Sequence, residues 1–122
     1  MAATAVKDFI VAAKTDQLND RKMISVAVQG KEVLIARVQD KYYAADNICP
    51  HMGAPLAMGT LEGTILTCPR HHSRFDLIDG KVIRWTDWTG IKAATSKLFR
   101  PPRPLTIFPV KVEGENILVK VM

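Results

Sequence analysis

Both cysteines and all three histidines of this chain fall inside two short segments, Cys49-Pro50-His51 and Cys68-Pro69-Arg70-His71-His72. No other feature restricts the fold as tightly. Each segment supplies a thiol and at least one imidazole from a tight Pro- or Gly-containing loop, and thiolate and neutral imidazole are metal ligands. One Cys-x-His pair alone would mean little. Two such pairs that use every cysteine in the chain point to a four-ligand metal site, so the fold must bring two loops to one point. Which of His71 and His72 completes the set is left open by the residues themselves.

Around these loops the chain reads as short strands. "MISVAVQG" and "EVLIARVQD" are apolar–polar alternating or β-branched, with a turn at Gly30-Lys31, and "KYYAA" continues the meander. On this reading Tyr42 and Tyr43 are strand residues. "TILTC" leads into the second cysteine, "RFDLIDGKVI" reads as a hairpin turning at Asp79-Gly80, and "LTIFPVKVEGENILVKVM" as a closing hairpin with its turn at "EGEN". Strands this short and this closely punctuated argue for an all-β protein, a small antiparallel barrel or sandwich. Two stretches differ: "TDQLND" (15–20) reads as a polar connection with a helical turn, and "IKAATSKLF" (91–99) as a short helical insertion stopped by "RPPRP".

At 122 residues the chain is most simply one domain, and 48% hydrophobic with 24% charged residues is an ordinary globular composition. The N-terminal stretch is too short in apolar residues and too charged, at Lys7, Asp8 and Lys14, for a signal peptide. No apolar run approaches the ~20 residues that span a bilayer. These readings imply a cytoplasmic protein without a membrane partner, in which the thiols stay reduced. The net charge is +5, and 84–103 concentrates Arg84, Lys92, Lys97, Arg100 and Arg103 against Asp87 alone. Such a patch either steers an acidic partner or is a solvated loop. No nucleic-acid-binding motif accompanies it. Trp85 and Trp88 in the same stretch read as anchors of the insertion onto the barrel.

Two centres accept two thiolates and two imidazoles: tetrahedral zinc, and a mixed-ligand iron–sulfur cluster. Common zinc patterns keep cysteines and histidines in separate pairs, whereas here each segment mixes them. Cys49-Pro50-His51 with Cys68-Pro69-Arg70-His71-His72-Ser73-Arg74-Phe75-Asp76 resembles the Rieske signature, Cys-x-His and Cys-x-x-His. "VLIARVQDKYYAADNICPHMGAPL", "FDLIDGKVI" and "RPLTIFPVKVEGENILV" are similar to Rieske ferredoxins in order and type, so the resemblance spans roughly 8–83 and 100–121.

The resemblance implies one [2Fe-2S] cluster per chain, with Cys49 and Cys68 on the buried iron and His51 and His71 on the outer one. It implies a single Rieske domain over 1–122, its cluster-binding part at approximately 45–83 plus a proline loop at 100–104 that includes Pro104. Two ferric ions, two sulfides and two thiolates sum to a neutral oxidised cluster, so neutral imidazoles in place of two further thiolates raise the reduction potential. Arg70 and Arg74, beside the second pair of ligands, favour the reduced form if they lie close to it.

Departures from the quinol-oxidising Rieske proteins tune the expectation. Their membrane anchor is not apparent, and Ala54 and Arg70 stand where their inter-loop disulfide would be. Ser73 keeps one of their two hydroxyl donors to cluster sulfur, while Phe75 replaces the tyrosine that supplies the other. One donor in place of two implies a potential in the lower part of the Rieske range of about −150 to +300 mV.

No nucleophile–base pair is apparent and four protein ligands leave no vacant position, which implies an electron carrier rather than an enzyme. The implied partners are a flavin-dependent reductase upstream and an oxygenase or other acceptor downstream. A small electron-transfer subunit of a nitrite-reductase-like complex is an alternative within that class. A zinc-stabilised binding module and an iron–sulfur redox sensor are alternatives outside it.

Overall fold

The computed structural model describes residues 9–19, 22–50, 53–70, 72–84 and 103–121. They form eleven strands: β1 (Phe9–Lys14), β2 (Met23–Val28), β3 (Lys31–Val38), β4 (Lys41–Asp46), β5 (Thr60–Glu62), β6 (Ile65–Thr67), β7 (Arg74–Asp76), β8 (Val82–Arg84), β9 (Ile107–Phe108), β10 (Val110–Glu113) and β11 (Asn116–Lys120). All pairings are antiparallel, in three sheets ordered β1-β11-β10, β2-β3-β4-β9 and β5-β6-β7-β8. The only helical segments among the described residues are 3₁₀ turns at Thr15–Leu18 and Leu56–Met58. The all-β antiparallel expectation holds, and the insertion expected at 91–99 lies outside the described residues, as do Trp85 and Trp88.

The architecture follows from a strand that is apolar at consecutive positions. Antiparallel strands usually alternate because one face meets water. In β3, however, Val33, Leu34, Ile35 and Ala36 are all fully buried. Val33 and Ile35, with Ala44 and Phe108, pack against Ala13, Ile117 and Val119 of the first sheet. Leu34, Ala36 and Ala45 pack the other way, onto Leu61, Leu66, Phe75 and Leu77 of the third-sheet region. The sheet β2-β3-β4-β9 is therefore a middle layer with a core on each side. Both cysteines belong to the core shared with the third sheet.

The turns refine the sequence reading. Val28 pairs with Lys31, so the β2–β3 turn is Gln29-Gly30, one residue earlier than expected, and both residues have positive φ (51° and 82°). That conformation matches the twist of a two-residue hairpin, and glycine adopts it at little cost. The closing segment is more than one hairpin. Ile107 and Phe108 pair with β4, while Val110 onward pairs with β11. Pro109 separates them, and without an N–H it cannot continue a ladder, so the chain changes sheets there. The first strand, β1, has no clear signal in the sequence and pairs with β11 at the far end of the chain.

Gly80 closes the β7–β8 hairpin with φ +80, and a Cβ there would overlap the carbonyl oxygen of Leu105. Leu105 in turn donates its N–H to the Gly80 carbonyl at 2.9 Å, tying the hairpin to the segment that returns to the middle sheet. Gly114, in the β10–β11 turn, shares the positive φ but has nothing within 4 Å of that position. Gly80→Ala is expected to lower the unfolding free energy by about 3 kcal/mol, against about 1 kcal/mol for Gly114→Ala, in denaturant unfolding of the two variants beside the parent.

Candidate metal centre

Two loops leave the ends of ladders and carry the cysteines. The first follows β4, where an isolated bridge pairs Ile48 with Pro55. Just inside it, the Cys49 N–H donates to the Ala54 carbonyl (2.9 Å) and the Gly53 N–H donates back to the Cys49 carbonyl (2.8 Å). The second joins β6 to β7, whose pairing at this end is Thr67 with Arg74. Inside that pair the Cys68 N–H donates to the Ser73 carbonyl at 2.8 Å. Each cysteine thus closes its loop by bonding to the carbonyl five residues on (49 to 54, 68 to 73). The two loops are equivalent in construction, which their sequences alone did not reveal.

Cys49 and Cys68 are 2% and 1% exposed, are thiols rather than a disulfide, and lie in the same buried cluster with Ala54, Leu56, Phe75 and Leu105. Ser73 is fully buried as well, and so is Phe75 in the tyrosine position. Arg70 and Pro104 are exposed, and Arg74 is half-buried. The candidate ligands His51 and His71 lie outside the described residues. His72 is exposed and sits at φ +59, in the left-handed region. An open cleft of about 330 Å³ runs beside the first loop, between Ile48, Cys49 and Pro50 on one side and Arg103, Pro104 and Thr106 on the other.

Asn47 belongs to no motif in the sequence, yet it organises the first loop. It is 2% exposed and every polar group it has is engaged. Its N–H donates to the Glu32 carbonyl (3.0 Å), and its own carbonyl accepts from the Leu56 N–H (2.9 Å). The side-chain oxygen Oδ1 accepts from the Ala57 N–H at 2.8 Å, and Nδ2 donates to Ser25 Oγ and Glu32 Oε1, both at 3.2 Å. One amide therefore ties β2 and β3 to the two ends of the loop that carries Cys49. The only sequence signal is an asparagine directly between a strand and "ICPHMG", where a local cap is the ordinary reading.

Two thiols shielded from water, delivered by two matched loops into one apolar pocket, form a donor set that fits the inner half of an iron–sulfur centre. The Rieske [2Fe-2S] domain model matches residues 8–95. The chain belongs to the Rieske [2Fe-2S] family. It is 32% identical, over 93% of its length and 96% of the relative's, to the ferredoxin component of the naphthalene 1,2-dioxygenase/salicylate 5-hydroxylase systems of a Ralstonia species. It is 30% identical to the ferredoxin component of the naphthalene 1,2-dioxygenase system of Pseudomonas aeruginosa, over 91% of this chain and 93% of that one.

Among solved structures, this Rieske chain superposes on the ferredoxin of carbazole 1,9a-dioxygenase from Nocardioides aromaticivorans IC177, with a TM-score of 0.73, 29% identity, and coverage of 91% and 95% of the two chains. The same fold recurs as part of a larger protein. The terminal oxygenase of carbazole 1,9a-dioxygenase from Novosphingobium sp. KA1 gives a TM-score of 0.74 at 19% identity, but only 29% of that chain is covered. Family membership carries the [2Fe-2S] cofactor with it and sets aside the zinc alternative.

Removing the Asn47 side chain leaves the part-buried Ala57 N–H without its acceptor. Asn47→Ala is expected to cost about 2 kcal/mol in denaturant unfolding of the cluster-free chain, and Asn47→Asp at least as much, because its carboxylate cannot donate to Glu32.

Proposed function

We propose that this chain is a one-electron carrier acting in the cytoplasm as a single Rieske domain, with no substrate chemistry of its own. Cys49 and Cys68 hold the inner iron; His51 and His71 hold the outer one. When bound, the cluster supplies a single reversible electron step without atom transfer. The observation that carries this reading is the end-to-end match to ferredoxin components, 96% of the Ralstonia relative's length, combined with two buried thiols in matched loops. Relatives named as ferredoxin components of dioxygenase systems support a flavin-dependent reductase as donor and an oxygenase as acceptor.

The chain's own residues divide the work. Burial of both thiols among Ala54, Leu56, Phe75 and Leu105 excludes water from the inner iron and keeps its ligands from solvent exchange. The matched Cys N–H bonds close the two loops at their necks, which sets where each thiol enters the pocket. Ser73 brings a hydroxyl shielded from water into the neck of the second loop, and Phe75 brings none at the next inward position. Exposed Arg70 and Pro104 lie outside this dry region, where they act on the rim or on a partner.

Anaerobic titration of the purified protein with dithionite tests the assignment. The visible absorption is expected to bleach with about one electron per chain, at a midpoint in the lower part of the range of about −150 to +300 mV. Uptake of no electron would contradict the carrier role. A midpoint near the top of that range would contradict the one-donor account of Ser73 and Phe75.

A further inference from the structure

Two arginines that stand outside the ligand set end on the backbone of the two loops. Arg84, on the edge strand β8, donates to the carbonyl oxygen of His72 from Nε (3.2 Å) and from Nη2 (3.0 Å). Arg103 donates from Nη2 to the carbonyl of Pro50 at 3.4 Å. In sequence, those carbonyls belong to the residue just after His71 and the residue just before His51. Counted as charges, these arginines are part of a basic stretch. Traced to their acceptors, each reaches the peptide beside one candidate histidine ligand.

The exit of the second loop runs against local stability in three ways. His72 holds φ +59, a conformation that costs a side-chain-bearing residue about 1–2 kcal/mol. Arg74 and Arg84 face each other across the β7–β8 ladder, where like charges repel. Arg74 Nε is buried without a hydrogen-bond partner among the described residues. Local conflicts gathered at one place mark a conformation that is imposed rather than preferred. The two-pronged hydrogen bond from Arg84 to the His72 carbonyl is one contact that holds it.

We propose that Arg84 and Arg103 are positioning residues for the cluster: each pins the peptide next to one histidine ligand and so fixes the outer edge of the centre. Arg84 is the stronger of the two, with two short bonds against one long one. The inference rests on the reading of His51 and His71 as ligands. A planar guanidinium reaches one carbonyl through two N–H groups, which an ammonium on a flexible stem does not reproduce. Lysine at position 84 therefore keeps the charge and loses the clamp.

The test compares the cluster-loaded parent with Arg84→Gln, Arg84→Lys and Arg103→Gln, using Lys81→Gln as a charge-matched control on an exposed residue of the same hairpin. Circular dichroism and thermal melting establish folding. The readouts are the g-values of the reduced protein and the rate at which an iron chelator bleaches the oxidised one. Both Arg84 variants are expected to shift the g-values and to lose the cluster roughly tenfold faster than the parent. Arg103→Gln is expected to lose it faster by a smaller factor, and Lys81→Gln to match the parent.

Parent-like behaviour of Arg84→Lys beside a defective Arg84→Gln would overturn the clamp in favour of charge alone. Parent-like behaviour of both would overturn any role. If the Arg84 variants do not fold, Arg103→Gln decides, and bleaching no faster than Lys81→Gln overturns the proposal. Pulsed EPR of the parent keeps the two readings apart. Absence of nitrogen couplings from two imidazoles would remove the ligand assignment, whereas their presence beside unaltered arginine variants removes only the clamp.

Discussion

Val33, Leu34, Ile35 and Ala36 leave the middle of β3 with no face toward water, and that double burial sets the rest of the molecule. A strand packed on one side needs one partner layer; packed on both sides, it needs two. The first sheet covers Val33 and Ile35, and the third-sheet region with its two loops covers Leu34 and Ala36. Fully burying a side chain such as Leu34 is worth about 1.5–3 kcal/mol, and truncating it to alanine costs about 2–5 kcal/mol once the cavity is included. The cysteine loops are thus the cover over one of the two cores. The two thiols are held there by packing among Ala54, Leu56, Phe75 and Leu105.

Placing polar groups in such a cover has to be reconciled with burial. A buried amide or hydroxyl without partners costs roughly 1–3 kcal/mol. Asn47 avoids that penalty by engaging all of its donors and acceptors, and the same bonds make it the hinge between the middle sheet and the Cys49 loop. The cysteine N–H groups are matched to carbonyls within their own loops. The thiols then sit where water is excluded, and this suits the low charge of a centre with only two thiolate ligands.

Much of this was legible in the residues. The apolar run of β3, the turn at Asp79-Gly80 and the hairpin at "EGEN" carry local signals, and local signals do not need the fold to be known. The site's residue types were equally plain, because thiols and imidazoles confined to two segments converge on metal binding. Strand β1 was not legible, since "FIVAAK" alternates weakly and its partner β11 lies at the opposite end of the chain. Nor was the change of sheet at Pro109, where one continuous strand-like segment serves two layers. Asn47, Arg84 and Arg103 act largely on backbone groups, and no pattern of side-chain types records which carbonyl an arginine will reach.

The carrier's chemistry depends on which four side chains hold the cluster. The most direct measurement is low-temperature EPR of the dithionite-reduced protein and of its three single histidine-to-alanine variants. A Rieske-type signal present in the parent and in His72→Ala, and absent from His51→Ala and His71→Ala, is the predicted result. Retention of the signal in His51→Ala or His71→Ala, or its loss in His72→Ala from a folded protein, would contradict it.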